Sequence, residues 1–136
     1  MGIEVEYQRA LFTVLNANKA TLGLTDVYDI APQDSDGGSN AAFPYATIGT
    51  IFMVQNDTQS KDGQIIASRI HVHSRTGSMM ETKTIQGKIF GLLHRGTLSI
   101  TGHNNFSLLR TDTDCFGEGG SRVHGVCEYT ALTETS

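Results

Sequence analysis

Positive charge is in short supply in this chain. Lys and Arg number 10 against 14 Asp and Glu, for a net charge of −4, and the sequence pI is near 5.6. The basic patch of a phosphate-tracking surface is therefore missing, which disfavours tight DNA binding. An acidic wall could still line a channel through which DNA slides, because repulsion keeps it from sticking. Cysteine is sparse too: Cys115 and Cys127 are too few and too far apart for a zinc knuckle, and in a reducing cytosol they are expected as free thiols in or near a sheet rather than as a disulfide. No run of about 18 apolar residues occurs. Glu4 and Glu6 stand where a secretory signal would carry Lys or Arg, and Met1-Gly2 is not followed by the Ser or Thr of a myristoylation signal. The expectation is a protein made and kept in the cytosol, with no membrane partner.

What is present suits one folded domain over residues 1–136. Hydrophobic residues make up 38% and charged residues 18%, too little charge for a disordered chain and enough apolar surface for a modest core. In residues 3–17, Ile3, Tyr7, Leu11, Val14 and Leu15 recur at helical spacing, with Glu4 and Glu6 near the start and Lys19 near the end as the helix dipole favours. The stretch 33–40 (QDSDGGSN) has no apolar residue and reads as a solvent loop. FPYATIGTIFMVQ reads as a strand with Pro44 at its edge, and Asp62-Gly63 as a turn pair joining it to a second strand in a long hairpin. Alternation in that second strand puts Ile66, Ser68, Ile70, Val72 and Ser74 on one face, the better core candidate, and Ile65, Ala67, Arg69, His71 and His73 on the other.

Ser78-Met79-Met80-Glu81 has the spacing of a capping box, followed by a helical stripe of Ile85, Ile89, Leu92 and Leu93 and a stop at Gly96 with His94 and Arg95 in the last turn. TLSITG, NFSLLRTDTDCF and RVHGVCEYTAL read as three further strands, with GEGGS as a turn. The pattern predicts an α+β fold: a mixed, largely antiparallel β-sheet packed against two α-helices.

Chemistry-bearing motifs are few. His71 and His73, two apart on a strand, point the same way and could share a zinc ion if His94, His103, His124 or an acid supplied a third ligand. No HExxH or paired CxxC accompanies them, and the plainer reading is two histidines on a half-exposed sheet face. There is no Gly-x-Ser-x-Gly elbow, and GEGGS lacks the Lys-Thr ending and following helix of a phosphate loop. Arg75, where a strand hands over to a helix, could fork onto a carboxylate of a neighbouring subunit, or could be a solvated loop arginine or an internal cap partner.

A resemblance narrows the function. An N-terminal helix, Val27-Tyr28-Asp29 with Pro32, Phe43-Pro44-Tyr45 with Gly49, Asp62-Gly63, Ile70-His71-Val72-His73-Ser74-Arg75, Leu92-Leu93-His94 and Arg122-Val123-His124-Gly125-Val126, in this order over nearly the whole chain, resemble the small tail-completion or tail terminator proteins of long-tailed phages and of phage-derived gene transfer agents. In that family the His73 position is often tryptophan, which implies a packing slot. The resemblance implies a structural protein without catalysis or cofactor: a ring, usually of six copies, on the head-proximal end of the tail tube, halting its polymerisation and docking the head connector, with DNA passing through the lumen. Loops at 33–41, 55–63 and 117–122 are its adaptable contacts. Their charged residues Asp57, Lys61, Asp62, Glu118 and Arg122, together with Arg75, are the candidate interface residues. Two other roles are kept in view, a head-side connector or stopper subunit and, from a different class, a small metal-dependent hydrolase using His71 and His73.

Overall fold

The computed structural model of the chain describes residues 3–29, 42–76 and 78–135. In chain order these form α1 (Ile3–Ala17), α2 (Lys19–Leu22), β1 (Asp26–Tyr28), β2 (Tyr45–Gln55), β3 (Gly63–Ser74), α3 (Met79–Leu93), β4 (His103–Gly119) and β5 (Arg122–Thr135). The strands make one five-stranded sheet in the order β1-β2-β3-β5-β4. Only the β1–β2 pair is parallel, so the α+β, largely antiparallel expectation holds. The expected loop at 33–40, Pro32 and Gly77 lie outside the described residues.

The helices cover one face of the sheet. Tyr7, Leu11 and Leu15 of α1 and Ile85, Ile89 and Leu93 of α3 join Ile66, Ile70 and Val72 of β3 and Cys127, Tyr129 and Ala131 of β5 in a single buried cluster. The expected core face of β3 is thus the observed one; Ser68 and Ser74 on it are buried as well. Ser68 keeps its hydroxyl satisfied at 2.8 Å from Tyr7 Oη, a bond that ties α1 to β3 beneath the core. On β5, Gly125 lets α3 approach the sheet: a Cβ there would lie 2.6 Å from Thr82 Cγ2 and 2.5 Å from Gln86 Nε2. Gln86 Nε2 in turn donates to the carbonyl of Asp114 at 2.9 Å, fastening α3 to β4.

Several local expectations need correction. Helix α1 ends at Ala17, so Lys19 lies past its last turn and pairs instead with Asp26 at 3.3 Å. Ser78 caps α3 by accepting the N–H of Met80, but Glu81 does not complete the capping box: its carboxylate accepts the Ser74 hydroxyl at 2.6 Å, a tertiary bond between α3 and β3. At the other end of α3, Arg95 rather than Gly96 takes the left-handed conformation, with φ 65°, because its N–H donates to the Leu108 carbonyl of β4 at 2.7 Å. His94 is the C-cap rather than a last-turn residue, and its Nδ1 accepts the Arg110 N–H at 3.0 Å. The β2–β3 turn centres on Thr58 and Lys61, whose backbones are bonded at 2.9 Å; Gly63 already belongs to β3. TLSITG is not a strand beyond an isolated bridge between Ile100 and His103, although Leu98 and Ile100 are buried. Finally, the short helix α2 has no counterpart among the expected elements, whereas β1 makes a third strand ahead of α3, where two or three were expected.

Candidate functional site

Among the described residues no helix lies on the other face of the sheet, and strand register decides what meets on it. Tyr45 lies opposite His73, His73 opposite His124, and His124 opposite Phe116. Four strands thereby lay four rings in one row. Tyr45 and His73 stack with centroids 4.7 Å apart and planes 19° from parallel. His73 and His124 follow at 4.5 Å, and His124 and Phe116 at 5.0 Å. Phe43 flanks the row 5.1 Å from Tyr45. Two rows toward the opposite end of the sheet the face turns aliphatic. Val54, Ile65 and Leu132 are cross-strand neighbours there, and so are Phe52, Ala67, Thr130 and Leu109. Phe52 is 63% exposed, and with exposed Val54, Leu109 and Leu132 it makes a contiguous apolar patch of the kind that marks an interaction surface. The Arg69–Glu128 ion pair at 3.3 Å separates the two regions.

A hydrogen-bonded chain crosses the aromatic row at His124. His71 Nδ1 lies 2.8 Å from His124 Nε2, and His124 Nδ1 lies 3.0 Å from Glu118 Oε2. Burial, reinforced by the neighbouring charge of His124, pushes His73 down to about 4 against the pull of Glu118. His71 is lowered by the same two causes in the same order. Both rings are therefore neutral at neutral pH. His124 orients on an acid as a general base would, but the far edge of His71 faces backbone rather than substrate space: a Cβ on Gly49 would sit 2.4 Å from its Nε2.

The rings of His71 and His73 lie 6.4 Å apart, so the sequence-adjacent pair is not the closest group of donors. Among the described residues, the three side chains whose ligand atoms come together are His73, Glu118 and His124, all within 4.8 Å of one another. His124 was only one of several third-ligand options in the sequence, because its place beside His73 depends on β3–β5 register.

Compared with known proteins, the sequence profile of the tail completion protein gp17 family matches residues 9–134. The chain belongs to the tail completion protein gp17 family. Membership makes it a structural component of a phage-like tail. In fold it is similar to a chain of the virion of a native gene transfer agent particle, with TM-score 0.84 and 18% identity over 98% of each chain. No curated protein sequence matches it.

In this tail completion protein the residues singled out from the sequence fall into two groups at opposite ends of the sheet. Arg75, Glu118 and Arg122 gather at the end bearing the aromatic row, where Arg75 lies 4.4 Å over the Phe43 ring and Arg122 6.0 Å from it. The Arg75 contact is thus an internal cation–π pair on an exposed side chain. Asp57, Lys61 and Asp62 lie in the β2–β3 loop at the other end. Asp57 works inside that loop, its carboxylate accepting from Gly63 N at 3.1 Å and Gln55 Nε2 at 3.2 Å. Sequence reasoning missed the aliphatic patch, whose signal is the run Ile51-Phe52-Met53-Val54, apolar at inward and outward positions alike.

Proposed function

We propose that this tail completion protein forms a closed ring, of six copies, on the head-proximal end of the tail tube, where it ends tube polymerisation and receives the head-side connector. Family membership over residues 9–134 carries the reading. Support comes from the sheet's two chemically distinct ends, since a subunit between tube and head must offer different surfaces to each. A head-to-tail contact that closes on itself repeats each interface residue around the ring. Arg75, Glu118 and Arg122 at one end and Asp57, Lys61 and Asp62 at the other are assigned to these contacts. The low positive charge of the chain suits a lumen that DNA crosses without specific binding. Residues 1–136 act as one unit, assembled in the bacterial cytoplasm, with no catalytic step.

Electron microscopy of the purified protein, alone and mixed with tail tubes, tests this. Rings seated on tube ends are expected, and tubes that stop growing once capped. Arg75→Glu should reduce ring formation while leaving the monomer folded. Tubes that stay uncapped while the protein binds portal-bearing heads would replace this reading with a connector on the head side.

A further inference from the structure

The geometry points to a divalent-metal site on the open face of the sheet, with His73, His124 and Glu118 as ligands, His71 as the positioning residue, and one first-row cation of the zinc type bound per chain. Three separate features support it. First, the donors converge from three places. His73 on β3 and His124 on β5 are direct cross-strand partners, and Glu118 comes from the end of β4, in the hairpin that leads into β5. Their ligand atoms lie within 4.8 Å of one another, whereas donors around a tetrahedral zinc with bonds of about 2.0–2.1 Å are roughly 3.4 Å apart. Closing that difference takes rotation of the exposed Glu118 side chain and of the His73 ring, with His124 kept on His71 and no strand moved.

Second, the donor types match the ion. Two imidazoles and one carboxylate form the set that borderline cations such as Zn²⁺ take, in contrast to the all-oxygen shells of Ca²⁺ or Mg²⁺. Third, the chain holds an outer partner in place. His124 Nδ1 faces Glu118 while its Nε2 meets His71 Nδ1 at 2.8 Å. A cation on Nδ1 leaves Nε2–H to donate to His71, fixing the tautomer and ring orientation as outer-shell partners of metal-bound histidines do. Three protein ligands leave a fourth position open, on the same end of the sheet as Arg75 and Arg122. The site stands on these residues alone and does not depend on the ring reading.

The test uses the full, untagged chain stripped of metal. Zinc chloride titrated into it calorimetrically should bind at one equivalent, and imidazole nitrogen resonances of His73 and His124 should move while those of His94 and His103 stay. Glu118→Gln and His124→Gln should each weaken binding by at least about tenfold with an unchanged far-ultraviolet circular dichroism spectrum. Glu118 lies on the exposed hairpin, so its variant keeps the comparison open if His124→Gln misfolds. Absence of binding at millimolar zinc, shifts confined to His94 and His103, or unchanged affinity in Glu118→Gln would each overturn the site.

Discussion

The two faces of β3 and β5 use the same strands for opposite ends. On one face Ile66, Ile70, Val72, Cys127 and Tyr129 are sealed under α1 and α3. One residue along, the same backbone presents His71, His73, His124, Ile65 and Leu132 to the face that no described helix covers. A chain that only needed to fold would fill that second face with charge and Thr. Here it carries a ring row and an aliphatic patch instead, so the helix-covered face supplies most of the packing, and the other face is the one we assign to partners.

Substitutions on each face should separate these roles. Ile70→Ala, at a position with 0% exposure, leaves a cavity between β3 and the helices and should cost about 2–5 kcal/mol in chemical denaturation. Gly125→Ala drives a methyl into Thr82 and Gln86 and should cost about 1–3 kcal/mol by overpacking, read in the same assay.

Acid should weaken the fold through the open face. His73 is held neutral with its pKa down at about 4, while an unfolded imidazole takes up a proton below about pH 6.5. Between those values the unfolded state binds more protons, so stability falls as pH drops from 6.5 to 4 and levels off below. The loss should reach about 1–3 kcal/mol in metal-free buffer, with His71, also lowered, adding to it. The titratable and charged groups facing His73 are His124, Glu118, His71 and Arg122; His73→Phe keeps a ring in the row and should flatten the slope measured by denaturation at stepped pH. The smallest effect on folding, within about 0.5 kcal/mol, is expected from Phe52→Ser. That variant should instead bind tail tubes less well in a sedimentation assay, and a variant that binds as wild type would remove the aliphatic patch from the partner surface.

Local signals read well where an element carries its own period. The apolar stripe of residues 3–17 coincides with α1, and the alternation through 65–74 separates the two faces of β3 as observed. Failures arise where a partner distant in sequence decides. Leu98 and Ile100 alternate as a strand would, but alternation reports which side chains are buried, and a strand also needs a free ladder beside it. β1 is three residues long, too short for any period, and exists because β2 offers its edge. Glu81 has the spacing of a local cap, yet the Ser74 hydroxyl, brought in by β3, takes its carboxylate. Arg95 adopts a conformation that favours glycine because β4 supplies a carbonyl for its N–H.

The same division runs through the site. That His71 and His73 share an outward face follows from the two-residue repeat of a strand, and no neighbour is needed to know it. That His124 and Glu118 complete a group with His73, and that Tyr45 and Phe116 extend it into a row, follows from which residue of β2, β4 and β5 lies opposite which residue of β3. Sliding a neighbouring strand by one residue would turn its entire outward set to the core. Periodicity is a property of the chain alone, whereas register is chosen by the burial of the whole sheet against its helices, and so the face was written in the sequence while its neighbours were decided by the fold.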